Sequence, residues 1–175
     1  MTPSPPTIRA RTDADLDQLA QLLIDVHSTD GYPVEGVADP RAWLMLGDPL
    51  GAWIAEIDQR IVGHVALMKA TDDDDAARVW SRHSGTPLSG IAVLCRLFVS
   101  PEHRGHRLGL QLTQAATAAA HAVNRTPVLD VMAKDAAAIR LYESLGWTVV
   151  ANISHQHSGH LEEPASVYRG PLPPE

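Results

Sequence analysis

The run Leu97-Phe98-Val99-Ser100-Pro101-Glu102-His103-Arg104-Gly105-His106-Arg107-Leu108-Gly109-Leu110-Gln111-Leu112 constrains the chain most. Phe98 and Val99 close an apolar stretch that begins at Ile91. Such a stretch, bounded by turn residues, suits a strand buried on both faces. Pro101 cannot donate to a sheet ladder, so pairing stops near it. Helical spacing then takes over, with Leu108, Leu112, Ala115, Ala119 and Ala122 at three- and four-residue steps. The helix starts at Arg107 or Leu108. Its first amides lack intrahelical partners and carry a partial positive charge. Gly105 and Gly109 let a ligand approach the backbone, and Gly105 is free to take a positive φ. Arg104 and Arg107 add full charges. A diphosphate suits this junction.

A second patterned stretch lies downstream at Asp135-Ala136-Ala137-Ala138-Ile139-Arg140-Leu141-Tyr142-Glu143-Ser144-Leu145-Gly146-Trp147. Ala138, Leu141, Tyr142 and Leu145 share one helical face, Asp135 stands at the start, and Gly146 ends the helix at C′.

Together the two stretches resemble the GNAT superfamily of N-acetyltransferases. The first is similar to its motif A, Arg/Gln-x-x-Gly-x-Gly/Ala, with Arg104 at the first position and Gly109 at the last. Arg107 stands where the family usually has the middle glycine. The second is similar to motif B, with Asp135 replacing the usual asparagine and Trp147 as an aromatic variant. The resemblance covers most of residues 7–169. It implies an α/β fold: a mixed, mostly antiparallel sheet with a splayed central parallel strand pair, flanked by helices. It implies acetyl-CoA as co-substrate and no metal. The backbone of Leu97, Phe98 and Val99 would meet the pantetheine arm, and the amides of Gly105, His106, Arg107, Leu108, Gly109 and Leu110 would cradle the diphosphate, with Arg104, Asp135 and Tyr142 also at the cofactor. Tyr142 would be the catalytic acid that protonates the departing thiolate.

The implied activity is acetyl transfer to a primary amine, a small molecule rather than a protein, by direct attack on the thioester. The alternative is a non-catalytic acyl-CoA-binding sensor or regulatory module. Many relatives carry a glutamate base on the central strand, but Val93 occupies that place here, with Cys95 two further on. His27, Asp30, Glu35 and His64 are other candidates, and none is selected. By fold analogy the amine pocket draws on the stretch from Asp30 through Tyr32 to Glu35, on Trp43, on the 71–90 segment with Trp80, and on the final hairpin.

Composition narrows the class further. A chain of 175 residues is long enough for a proper core. Its net charge of −7 argues against general nucleic-acid binding, which calls for a basic face. The single cysteine, Cys95, excludes an intrachain disulfide and reads as a small core residue. No apolar run is long enough to span a bilayer, and the Pro-rich start lacks the apolar segment of a secretory signal. The expectation is a cytoplasmic enzyme with a small-molecule amine as partner, no nucleic acid and no membrane, and a homodimer allowed.

Residues 1–6 and 170–175 are loose ends around one domain at 7–169. Thr7 to Arg11 forms a strand, and Thr12 and Asp15 fit a capping box. A helix follows and ends before Ser28. Pro40 opens a short helix. Ala52–Ile57 and Ile61–Met68 make a hairpin around Asp58-Gln59, and Gly63 marks a close approach. Asp72 to Asp75 reads as a solvated acidic turn within an insertion that holds Trp80. Strands follow at Pro127–Ala133, Trp147–Ile153 and Ala165–Tyr168. His155, His157 and His160 read as a solvated loop rather than a metal site.

Overall fold

A computed structural model describes residues 2–155 and 162–175. His157 and His160 lie outside the described residues. Seven strands form one sheet: β1 (Thr7–Ala10), β2 (Pro49–Ile57), β3 (Arg60–Lys69), β4 (Ile91–Val99), β5 (Thr126–Met132), β6 (Thr148–His155) and β7 (Glu163–Arg169). Their order is β1-β2-β3-β4-β5-β7-β6. β1 runs antiparallel to β2, and β7 lies antiparallel between β5 and β6. β4 and β5 are the parallel pair. The helices are α1 (Leu16–Asp30), α2 (Pro40–Leu44), α3 (Asp75–Ser84), α4 (Leu108–Ala122) and α5 (Ala136–Ser144).

The chain packs as two compact units, Met1–Leu67 with Cys95–Ala116, and Met68–Leu94 with Thr117–Glu175. The core of the first joins Leu16, Leu19, Leu23 and Val26 of α1 to Ile54, Ile61 and Phe98 of the sheet. The core of the second joins Ala76 and Ala77 of α3 to Ile91, Val93, Val128 and Val167.

Local chemistry explains most boundaries. Thr12 and Asp15 form the expected capping box, with the Thr12 amide donating to Asp15 Oδ2 at 2.7 Å. Asp39 Oδ1 accepts from the Ala42 amide at 2.9 Å, with Pro40 in the first helical turn. Asp58 and Gln59 both have positive φ, 48° and 65°, as a tight hairpin turn of the primed type requires. A Cβ on Gly63 would lie 2.9 Å from Leu112 Cδ1 and 3.3 Å from the Phe98 carbonyl oxygen, so the expected close approach is present.

Four expectations need correction. α1 does not end before Ser28 but runs to Asp30, and Gly31, with φ 73°, stops it. Ser28 and Thr29 return their hydroxyls to the Asp25 carbonyl at 2.9 and 3.1 Å and so stay helical. The acidic stretch is no plain solvated turn. Asp74 closes a turn by accepting from the Thr71 amide at 2.7 Å, and Asp75 begins a ten-residue helix that the sequence reading lacked. The buried stripe of α4 is Leu108, Leu112, Ala116 and Ala120, one position on from Ala115 and Ala119. Asp135 stands at the N-cap of α5, but its side chain makes no capping hydrogen bond.

Candidate active site

In the first unit the site is built from the second half of β4 and the turn after it. The β4–β5 ladder pairs only Ile91, Ala92 and Val93 with Thr126, Pro127 and Val128, whereas β4 continues to Val99. The sequence supplies a reason at Arg96, whose φ of 53° bends the strand. A non-glycine residue in that region belongs to a bulge rather than a regular ladder. Phe98, with Leu97 and Val99 half-buried beside it, is buried against the aromatic rings of Tyr32 and Trp43 at 6.4 and 6.2 Å.

Beyond the strand, Gly105 has φ 84° and Arg107 has φ 60°. Arg107 therefore adopts a backbone shape that glycine adopts freely and a bulky side chain takes at a cost of about 1–2 kcal/mol. This is the position where the family pattern calls for glycine. The α4 ladder begins with the Gln111 amide donating to the Arg107 carbonyl at 3.1 Å. Among the described residues, the amides of Arg107, Leu108, Gly109 and Leu110 donate to no protein acceptor. His106 and Arg107 are exposed, and Leu108 is buried, anchoring the helix start. Arg104 is engaged elsewhere: its guanidinium pairs with Asp30 at the end of α1, and this raises its pKa above the usual arginine value. The pair joins two residues expected to touch different ligands. Bare amides, a glycine-like turn and the exposed Arg107 side chain fit a diphosphate.

The candidate bases separate by environment. His64 is fully buried. Its Nδ1 lies 2.9 Å from the Arg96 carbonyl and its Nε2 lies 3.1 Å from Arg11 Nη1. Nδ1 must therefore carry the hydrogen, and Nε2 accepts from Arg11. Burial, and then the charges of Arg11 and Arg96, push the His64 pKa down to about 4, against the opposing pull of the Arg96 carbonyl. Its lone pair is already occupied, so His64 is a satisfied sheet histidine. The Asp30 carboxylate is held by Arg104, and Glu35 is exposed on the segment after α1. His27 has a buried Nδ1 without a partner among the described residues. Val93 is buried in β4.

In the second unit, Tyr142 is buried, with its ring 5.7 Å from Trp147. The neighbouring Glu143 accepts from the Tyr168 hydroxyl at 3.0 Å. Asp135 is exposed. Trp80 lies on α3 under the Arg169 guanidinium at 5.7 Å and beside His83. Its indole N–H is buried and makes no hydrogen bond among the described residues. His155 faces two carboxylates, Asp130 through Nε2 and Asp75 through Nδ1. Among the described residues no group of three or more His, Cys, Asp or Glu is arranged to hold a metal ion, and no helix is long and apolar enough to cross a membrane.

Arg11 and Arg96 went unmarked in the sequence. An arginine inside the apolar run Ile91–Val99 was a signal, because a charge in a buried strand requires a reason.

The sheet carries its parallel pair, β4 and β5, at its centre, and β4 leads through a turn into α4. The chain belongs to the acetyltransferase (GNAT) family, whose model matches residues 16–147. Solved structures agree in fold. A putative acetyltransferase from Salmonella typhimurium, yncA, solved with acetyl-CoA, is 18% identical with a TM-score of 0.71, covering 95% of this chain and 93% of its own. The ribosomal-protein-alanine N-acetyltransferase of Brucella melitensis is 19% identical with a TM-score of 0.72, covering 95% and 99%. Arabidopsis thaliana NAA60, in complex with acetyl-CoA, is 17% identical with a TM-score of 0.71, covering 94% and 98%. No curated protein matches the sequence significantly.

Proposed function

We propose that the chain is a cytoplasmic acetyl-CoA-dependent N-acetyltransferase acting on the primary amine of a small molecule. The observation that carries this is the set of bare amides from Arg107 to Leu110 at the start of α4. Those amides and Gly105 would hold the diphosphate, with Arg107 adding charge. The backbone of Leu97, Phe98 and Val99 would receive the pantetheine arm in the manner of an added strand. Acetyl-CoA, when bound, supplies an acetyl group activated as a thioester.

The chain's own part is to orient, polarise and move protons. Amides of the Phe98–Val99 segment would polarise the thioester carbonyl. Tyr142 would hold the proton that the departing sulfur takes. The transfer forms one C–N bond and breaks one C–S bond. The amine loses one proton to solvent or to a base, and sulfur gains one. An alkyl ammonium titrates at about 10.4, so the amine must be deprotonated before it attacks. His64 does not perform this step, because Arg11 occupies its free nitrogen.

Release of free CoA thiol, followed against a panel of small amines and of peptides with free N-termini, tests the reading. Turnover with small amines supports it. Turnover with peptides alone would move the acceptor to the protein class. The sensor alternative rests on buried Val93, which leaves no carboxylate at that strand position. Tight CoA binding without turnover of any amine would favour it. Tyr142→Phe should leave CoA affinity unchanged and lower turnover at least about tenfold.

A further inference from the structure

The Asp75–His155–Asp130 cluster uses both ring nitrogens of one imidazole, so the two carboxylates do not converge on a common point. The buried indole nitrogen of Trp80 is a single orphan atom. The cluster around Arg96 goes further.

Arg96 is half-buried in a strand, in a backbone conformation that costs about 1–2 kcal/mol for a side chain of its size. Such strain persists where the surroundings enforce it, and it re-aims the side chain. Its guanidinium lies over the Trp43 ring at 5.1 Å. Trp43 in turn packs edge-on against Tyr32 at 5.9 Å and against Phe98 at 6.2 Å. Cation and aromatic rings thus form one continuous wall.

A second cation joins it. Arg11 is half-buried, with Nη1 fixed on His64 Nε2, while the other edge of the same imidazole is fixed on the Arg96 backbone carbonyl. The two guanidinium charges repel. Asp13 and Asp15 attract Arg11 from a distance, but Asp15 is already bonded to Arg9 and Thr12, and Asp13 is exposed. Among the described residues neither Arg11 nor Arg96 has a carboxylate within ion-pair distance. Arg9, Arg41, Arg78 and Arg104 each do. Arg125 and Arg169 are also half-buried without a carboxylate, but they donate to the Ile91 and Gly170 carbonyls at 3.0 and 2.8 Å. Among the described residues the Arg96 guanidinium donates to no acceptor and Arg11 meets only His64, so these two keep donors to spare. Arg11 also lines an open cavity of about 460 Å³ with Met45, Leu46, Leu50 and Trp53, a cavity to which Arg96 and Trp43 do not contribute.

We infer that Arg96, with Arg11 beside it, receives an oxyanion carried by the acceptor, so that the acceptor is an amine bearing a carboxylate. This rests on the acetyl-transfer reading and names its substrate class. A guanidinium offers a planar fork of donors that matches the two oxygens of a carboxylate. Trp43 lies under the Arg96 guanidinium, and His64 holds Arg11 without adding a third charge. The other source of an oxyanion is the cofactor's own phosphate, and the experiment separates the two.

The first arm needs no turnover. Cofactor-free protein is titrated with succinate, and separately with neutral succinamide, at constant ionic strength. The Trp43 indole and arginine Nε signals are followed by NMR. Saturable shifts with succinate, at least about tenfold weaker with succinamide and lost in Arg96→Gln, support the proposal. No saturable shift, equal response to both probes, or an unchanged response in Arg96→Gln overturns it.

The second arm compares β-alanine with β-alaninamide as acceptors. The carboxylate should be preferred by about tenfold in kcat/KM through KM, and Arg96→Gln should bring the ratio to about one. An unchanged ratio overturns the proposal. CoA affinity, measured by calorimetry, should be unaltered in Arg96→Gln. A parallel loss would assign the cations to the cofactor's phosphate and overturn it as well. If no amine is acetylated by the wild-type protein, the acetyl-transfer reading fails, while the succinate arm still decides whether the oxyanion site exists.

Discussion

Acid should weaken this fold well above the pH at which its carboxylates protonate, and His64 should be the cause. The imidazole is fully buried, with one nitrogen committed to the Arg96 carbonyl at 2.9 Å and the other facing the Arg11 cation at 3.1 Å. A second ring proton would point at Arg11. The folded pKa is about 4, against 6.5 in an unfolded chain. Between these values the unfolded state binds more protons, so stability falls as pH falls. From pH 7 to pH 4.5 the loss is about 2–3 kcal/mol. Asp15 acts in a lower window. Its hydrogen bond to Arg9 holds its pKa near 2, below the unfolded 3.8, so its contribution is present above pH 3.8 and is lost only as the pH falls toward 2. Urea unfolding at pH 7 and pH 4.5, followed by tryptophan fluorescence, reads the difference. His64→Gln keeps an acceptor and a donor but does not titrate. Its stability should change by about 2–3 kcal/mol less across this range than that of the wild-type protein. Equal pH slopes in the two proteins would refute the reasoning.

Two further substitutions test local geometry. Gly63→Ala places a methyl group 2.9 Å from Leu112 Cδ1 and 3.3 Å from the Phe98 carbonyl oxygen, so urea unfolding should show a loss of about 1–3 kcal/mol. No loss would mean that Leu112 moves aside freely. Arg107→Gly relieves the strain of φ 60°, which glycine's greater unfolded-state freedom offsets by about 0.5–1 kcal/mol. Its unfolding free energy should stay within about 1 kcal/mol of wild type, while calorimetry shows CoA binding weaker by roughly threefold to tenfold. Unchanged affinity would remove Arg107 from the site.

What the sequence disclosed and what it hid follow from the range of the interactions. The capping box at Thr12, the hairpin at Asp58-Gln59, the end of α5 at Gly146 and the strand–turn–helix at 91–122 depend on neighbours along the chain, and all were legible. α3 was hidden because its core contacts are Ala76 and Ala77, too small to print an apolar period beside four aspartates. Its stop at Gly85, with φ 75°, was the available sign. The contacts that shape the candidate site were illegible because they join distant segments. Arg104 finds Asp30 across 74 positions, and His64 ties Arg11 to Arg96 across 53 and 32. The Arg107 turn was legible as a departure from the family pattern, but its glycine-like backbone was not.

The central claim is that peptide nitrogens at the start of α4 grip the diphosphate of the cofactor. Amide spectra of the ¹⁵N-labelled protein, recorded as CoA is added, test it most directly. The account predicts that the largest downfield proton shifts fall on Arg107, Leu108, Gly109 and Leu110. Saturation of the spectrum by CoA with those four amides unmoved would contradict it.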